Sequence, residues 1–108
     1  MAHKYKKRTP RPSLDRFMEK ILINESGCWI WQGSLKGPND YANFWTPQGV
    51  KLAHKWYWEQ LHGPVPEGKE LDHTCRTRSC VNPEHLEAVT HLENVQRFWG
   101  VVRAALAI

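Results

Sequence analysis

The chain reads as a small single α+β domain stapled by a metal ion, and three observations lead there. Its 108 residues suit one domain whose core is modest enough to gain from a metal or a cross-link. Short aromatic runs of strand character are interleaved with stretches of helical spacing. All three cysteines, Cys28, Cys75 and Cys80, combine with His85 into a set of four thiolate and imidazole ligands, the number that tetrahedral zinc takes.

Ser13 is a candidate cap for a helix over residues 14–23, where Leu14, Phe17, Met18, Ile21 and Leu22 recur at helical spacing. Residues 24–27 end it. Cys28-Trp29-Ile30-Trp31-Gln32 is short and aromatic, hence a strand, and residues 36–40 are dense in turn formers. A second strand is expected over residues 41–46 and a third after Gln48-Gly49, over residues 50–53. Residues 54–61 read as a helix stopped by Gly63-Pro64, followed by a loop over 64–68, a short strand over 70–73 and a loop over 76–83. The last helix begins near Thr90, with Glu93 in the capping-box position, and runs past Asn94 and Arg97. Strand, loop, turn and helix in that order give the C-terminal half a ββα outline, with a core over about residues 69–98.

Charge is uneven. Residues 1–20 carry seven Lys and Arg against two acids, whereas residues 21–108 carry eight against nine. Residues 1–12, with Pro10 and Pro12, read as a flexible basic arm ahead of a domain over residues 13–108. Such an arm neutralises phosphates, or merely keeps a terminus soluble. An odd cysteine count speaks against a purely intramolecular disulfide framework, and no apolar core of a secretory signal follows the basic start. No apolar run approaches the roughly 18 residues of a membrane span. The expected setting is intracellular and reducing. Of the six tryptophans, Trp29, Trp31, Trp56 and Trp58 fall within expected elements and are assigned to core packing.

The chemistry concentrates in His73-x-Cys75-x4-Cys80-x4-His85-x8-Asn94, where two kinds of site interleave. Cys75, Cys80 and His85 are zinc-type ligands, and Cys28, the one remaining cysteine, closes the set. Asp72, His73 and Asn94 are of another kind: two hard oxygen donors suited to Mg²⁺ and an imidazole that titrates near neutrality. Phosphodiester hydrolysis needs a base for water and a hard cation for the crowded phosphate. A strand end carrying Asp72 and His73 and a helix start carrying Asn94 can bring all three to one point.

At these residues the chain resembles the HNH endonucleases, particularly the phage HNH proteins and the zinc-stapled His-Cys box homing endonucleases, over about residues 27–97. The resemblance implies a ββα-metal core, His73 as general base, Asp72 and Asn94 on a catalytic Mg²⁺ or other divalent cation, and Cys28, Cys75, Cys80 and His85 on a structural zinc. It also implies cleavage of double-stranded DNA to 5′-phosphate and 3′-hydroxyl ends, by nicking or double-strand cutting, with no small-molecule substrate. In a phage-encoded protein the site of action is the bacterial cytoplasm, with a homodimer or DNA-packaging proteins as candidate partners.

His54-Lys55 is similar to a His-Arg pair of the phage group, which makes Lys55 a candidate for the scissile phosphate. Arg97, one turn beyond Asn94, is a second phosphate candidate, and Arg76 and Arg78, between two zinc-type ligands, are candidates for the DNA backbone or a base edge. His85 stands where many HNH enzymes have a middle asparagine, so Asn82 is an alternative match. His91 is a candidate accessory ligand, and an exposed helix histidine otherwise. The rival class is a zinc-stabilised DNA-binding module without catalysis, which has no need of Asp72, His73 and Asn94 together.

Overall fold

A computed structural model describes residues 11–36 and 41–106. The expected basic arm lies outside the described residues except for Arg11 and Pro12, as does the expected turn beyond Lys36.

Helix α1 (Ser13–Met18) is shorter than its periodicity suggests, and Ser13 is its first helical residue, preceded by Pro12 with no side-chain cap. Residues beyond Met18 leave the helix: β1 (Ile21–Ile23) pairs antiparallel with β2 (Trp29–Trp31), setting Ile21 opposite Trp31 and Ile23 opposite Trp29. Pairing of branched against aromatic side chains overrides the helical spacing here. The turn between them suits that outcome. Asn24 Oδ1 accepts from the backbone N–H of Ser26 and of Cys28, both at 3.0 Å, and Gly27 takes the left-handed φ of 79°.

Strands β3 (Leu35–Lys36), β4 (Tyr41–Thr46) and β5 (Gly49–Leu52) form an antiparallel meander. Along β4, Ala42, Phe44 and Thr46 are buried, while Trp45 faces out. Helix α2 (Ala53–His62) follows directly and stops where Gly63 adopts φ 81°. Phe17 joins these layers. It is fully buried, stacks on Tyr57 at 4.7 Å between ring centroids, and meets Trp31, Phe44 and Trp56 at 5.2, 5.6 and 5.5 Å.

Strands β6 (Lys69–His73) and β7 (Leu86–Thr90) make a two-stranded antiparallel sheet, and α3 (His91–Leu106) follows at once. Together they form the expected ββα unit. Its second strand lies where only a turn was expected, although Leu86 and Val89 are buried and Glu87 exposed. The capping box at the start of α3 is present: Thr90 Oγ1 accepts from Glu93 N–H at 3.1 Å, and the Glu93 carboxylate accepts from Thr90 N–H at 3.4 Å. Trp29, Trp31 and Trp56 belong to the core or its margin, as expected. Trp58 is half-buried against His62 instead, while Trp45 and Trp99 are half-exposed.

Because Phe17 is the ring that α1, β2, β4 and α2 share, Phe17→Ala should destabilise the fold by about 3–5 kcal/mol. Denaturant unfolding checks this, and a loss below about 1 kcal/mol would remove Phe17 as the centre of the core.

Candidate functional site

The four zinc-type ligands come from three separated segments that backbone hydrogen bonds draw together. The residues around Cys80 are sewn to β2: Trp31 N–H donates to Ser79 O at 3.0 Å and Val81 N–H to Trp29 O at 2.8 Å. That pairing sets Cys80 beside Cys28, which immediately precedes β2. A 3-10 turn, Pro83–His85, then carries His85 inward. Asn82 caps this turn, accepting from Glu84 N–H at 3.0 Å, and donates its amide to Gly27 O at 2.9 Å, tying the turn to the Cys28 loop. Asn82 is buried here as a brace, and His85 is the residue that joins the cysteines.

The ligand atoms of Cys28, Cys75, Cys80 and His85 all lie within 4.8 Å of one another. His85 Nδ1 stands 3.5 Å from Cys28 Sγ and 3.6 Å from Cys80 Sγ. A tetrahedral ion about 2.3 Å from sulfur and about 2.0–2.1 Å from nitrogen subtends S···N edges of about 3.6 Å, so the donor set fits a metal such as zinc in type, number and spacing. Burial, with Cys75 and Cys28 close by, pushes the Cys80 thiol up to about 12. A bound cation would favour the ionised form of such a sulfur.

On the far side of this cluster lies a cleft of about 410 Å³ whose lining includes Asp72, His73, Arg76, Arg78, His91 and Asn94. It is lined by four consecutive residues of β6, Glu70 to His73, and by residues of α3 including His91 and Asn94. A second cleft, which shares Tyr41, Glu70, Leu71 and Asn94 with the first, carries Lys55 and His54. Thus the expected catalytic trio opens on one cavity, with Arg76 and Arg78 around it and Lys55 along its continuation. Arg97 is placed differently. Its guanidinium is held between Asp72 Oδ2 at 3.1 Å and Glu87 Oε2 at 3.0 Å, and it lines neither cleft.

His73 is buried, and its Nε2 lies 3.0 Å from Cys80 O. A carbonyl only accepts, so Nε2 carries the proton and Nδ1 is the open lone pair of the neutral ring. Burial lowers the pKa of His73, against the opposing pull of the Cys80 carbonyl and of Asp72. The His54 ring packs 4.6 Å away, and burial, then His73, then Lys55 bring it down to about 3, so it is neutral. Asp72 is buried at the other side of the strand end, its Oδ1 accepting from Arg76 at 2.8 Å. Arg76 reaches it from a left-handed backbone, φ 61°, in the loop that follows Cys75.

Glu70 went unnoticed in the sequence. Its Oε1 lies 2.7 Å from Asn94 Nδ2 and 3.2 Å from His91 Nδ1. The available signal was strand alternation, which puts residues 70 and 72 on one face of β6. Tyr41, whose ring packs against both His54 and His73, was missed because only tertiary packing brings β4 to this strand.

A family model described as HNH endonuclease matches residues 51–96. The uncharacterised gene 5.3 protein of Enterobacteria phage T3 is 45% identical over 76 residues, covering 65% of this chain and 75% of that protein. Protein 2.8 of Escherichia phage T7 is 32% identical over 80 residues, 74% of this chain and 55% of that protein. Protein 7.7 of the same phage is 30% identical over 67 residues, 62% of this chain and 51% of its own length. The chain therefore spans about half the length of the two T7 relatives. No solved structure matches it.

Removing a ligand tests the cluster directly. Cys28→Ser should lower both the metal content found by elemental analysis and the thermal midpoint. Unchanged metal content would mean that another group completes the set.

Proposed function

The chain belongs to the HNH endonuclease family, and from that premise we propose that it is a metal-dependent endonuclease that hydrolyses phosphodiester bonds of double-stranded DNA. The observation that carries this reading is the anchoring of His73. Its Nε2–H is committed to Cys80 O, and the same ring lines a cleft with Asp72 and Asn94.

In this reading His73 is the general base. Nδ1 takes a proton from a water as that water's oxygen bonds to phosphorus. The P–O3′ bond breaks, its electron pair leaves on the 3′ oxygen, and solvent protonates that oxygen. The products are a 5′-phosphate and a 3′-hydroxyl. Burial favours the neutral ring and the Nε2–H donated to Cys80 O fixes its tautomer, which leaves Nδ1 as the basic atom. Asp72 and Asn94 would hold a divalent cation, Mg²⁺ by the hardness of their oxygens. Bound there, such an ion supplies charge stabilisation to the phosphate and the leaving oxygen. Each Asp72 oxygen accepts one arginine hydrogen bond and retains a second lone pair for this purpose. Lys55, Arg76 and Arg78 would hold DNA phosphates along the clefts, while Arg97 fixes the Asp72 carboxylate in addition to any phosphate contact.

Zinc is the metal proposed for Cys28, Cys75, Cys80 and His85, with a structural role: four protein ligands leave no open position for substrate. Similarity to proteins of Enterobacteria phage T3 and Escherichia phage T7 supports the reading that this action on DNA takes place inside a bacterial host.

Purified protein should convert supercoiled plasmid to nicked or linear DNA with Mg²⁺ and not with EDTA. His73→Ala should lower the rate at least about 100-fold, within the range that general-base catalysis contributes. Full activity in His73→Ala overturns the base assignment. DNA binding by wild type without cutting under any divalent ion would favour the zinc-stabilised binding module.

A further inference from the structure

Asn94 has an ambiguity that aspartate lacks. Its side chain ends in a carbonyl oxygen, which can ligate a cation, and an NH₂ group, which cannot. The two groups exchange places by rotation about the last side-chain bond, a broad and roughly two-fold torsion. A ligand asparagine therefore works only in one of its two orientations, and something in the fold must choose it.

Glu70 makes the choice. It stands on β6 with its Oε1 at 2.7 Å from the Asn94 amide and 3.2 Å from His91 Nδ1. A carboxylate accepts and does not donate, so the group of Asn94 that faces it is NH₂. The hydrogen bond from Asn94, ahead of that from His91, holds the Glu70 carboxyl below the usual carboxylate range. Both partners sit in the first turn of α3, three residues apart on one helix face, and the Thr90–Glu93 capping box fixes where that turn begins. Glu70 and Asn94 also line both clefts.

We propose that Glu70 is a positioning residue: by taking the Asn94 NH₂ group it turns Asn94 Oδ1 toward the cation of the cleft. This rests on the cation-binding role given to Asn94 above. Losing the bond frees the amide to rotate and frees the side chain's rotamers, which should weaken cation binding about three- to tenfold. Glutamine at position 70 offers its own carbonyl oxygen to the same NH₂ group, so it should restore the effect without restoring the charge.

The test is Mn²⁺ affinity measured by electron paramagnetic resonance on protein mixed with a short DNA duplex. All variants carry His73→Ala, so that the duplex stays intact. Expected is a three- to tenfold weaker affinity in Glu70→Ala, an affinity within about twofold of the parent in Glu70→Gln, and an unchanged thermal midpoint in both. Parent-like affinity in Glu70→Ala overturns the proposal. So does Glu70→Gln as weak as Glu70→Ala, because the charge and not the bond would then be responsible. Asn94→Ala separates the two layers of the argument. If it binds Mn²⁺ as tightly as the parent, the cation-binding role of Asn94 fails and the positioning role with it. If it binds weakly while Glu70→Ala does not, only the positioning role falls.

Discussion

Cys80 faces two ways, and the arrangement of the molecule follows from that. Its sulfur is directed into a cluster with Cys28, Cys75 and His85, its backbone neighbours are bonded to β2, and its carbonyl receives the Nε2 proton of His73. A shift of the Cys80 loop would therefore disturb the metal cluster, the junction with the aromatic core and the candidate base together. The loop is short and irregular, the kind of backbone that packing alone orders poorly. A metal held by the four cluster residues would fix it without a large core, which suits a domain of this size.

The cleft on the other side of His73 is organised by charge. Asp72 is buried between the guanidiniums of Arg76 and Arg97, and a buried carboxylate is tolerated only with such partners. Arg97 is in turn shared with Glu87 across from Asp72 on β7, so β6, β7 and α3 are joined by one ion-pair chain. Two side chains that look alike in sequence thus divide in role. Arg97 is anchored by two carboxylates, Asp72 and Glu87, whereas Arg76, nearly half exposed, braces Asp72 and also lines the cleft.

Much of this was legible in the sequence because it depends on residue type and short spacing. The clustering of Cys28, Cys75, Cys80 and His85, the capping box at Thr90 and the strand over residues 41–46 are of that kind, as is the gathering of Asp72, His73 and Asn94 on one cleft. What escaped depends on partners distant in the chain. Ile21 and Leu22 carry helical spacing, and only their pairing with Ile30 and Trp31 makes them a strand. Residues 86–90 read as a turn in isolation, yet each pairs with a residue of β6. Glu70 was only the start of a short strand in sequence, and its bonds to Asn94 and His91 come from the packing of α3.

The separation of the cluster residues along the chain also makes the cluster a non-local contact. β6, β7 and α3 are neighbours in sequence, whereas Cys28 belongs to the aromatic half and is separated from Cys75 by the strands β2 to β6 and helix α2. Closing that span carries the larger entropic cost. His73 gains its final alignment only when the Cys80 segment is seated on β2, so a partly folded chain carries the residues of the cleft but not their geometry. The competence of the cleft is thereby tied to completion of the whole fold.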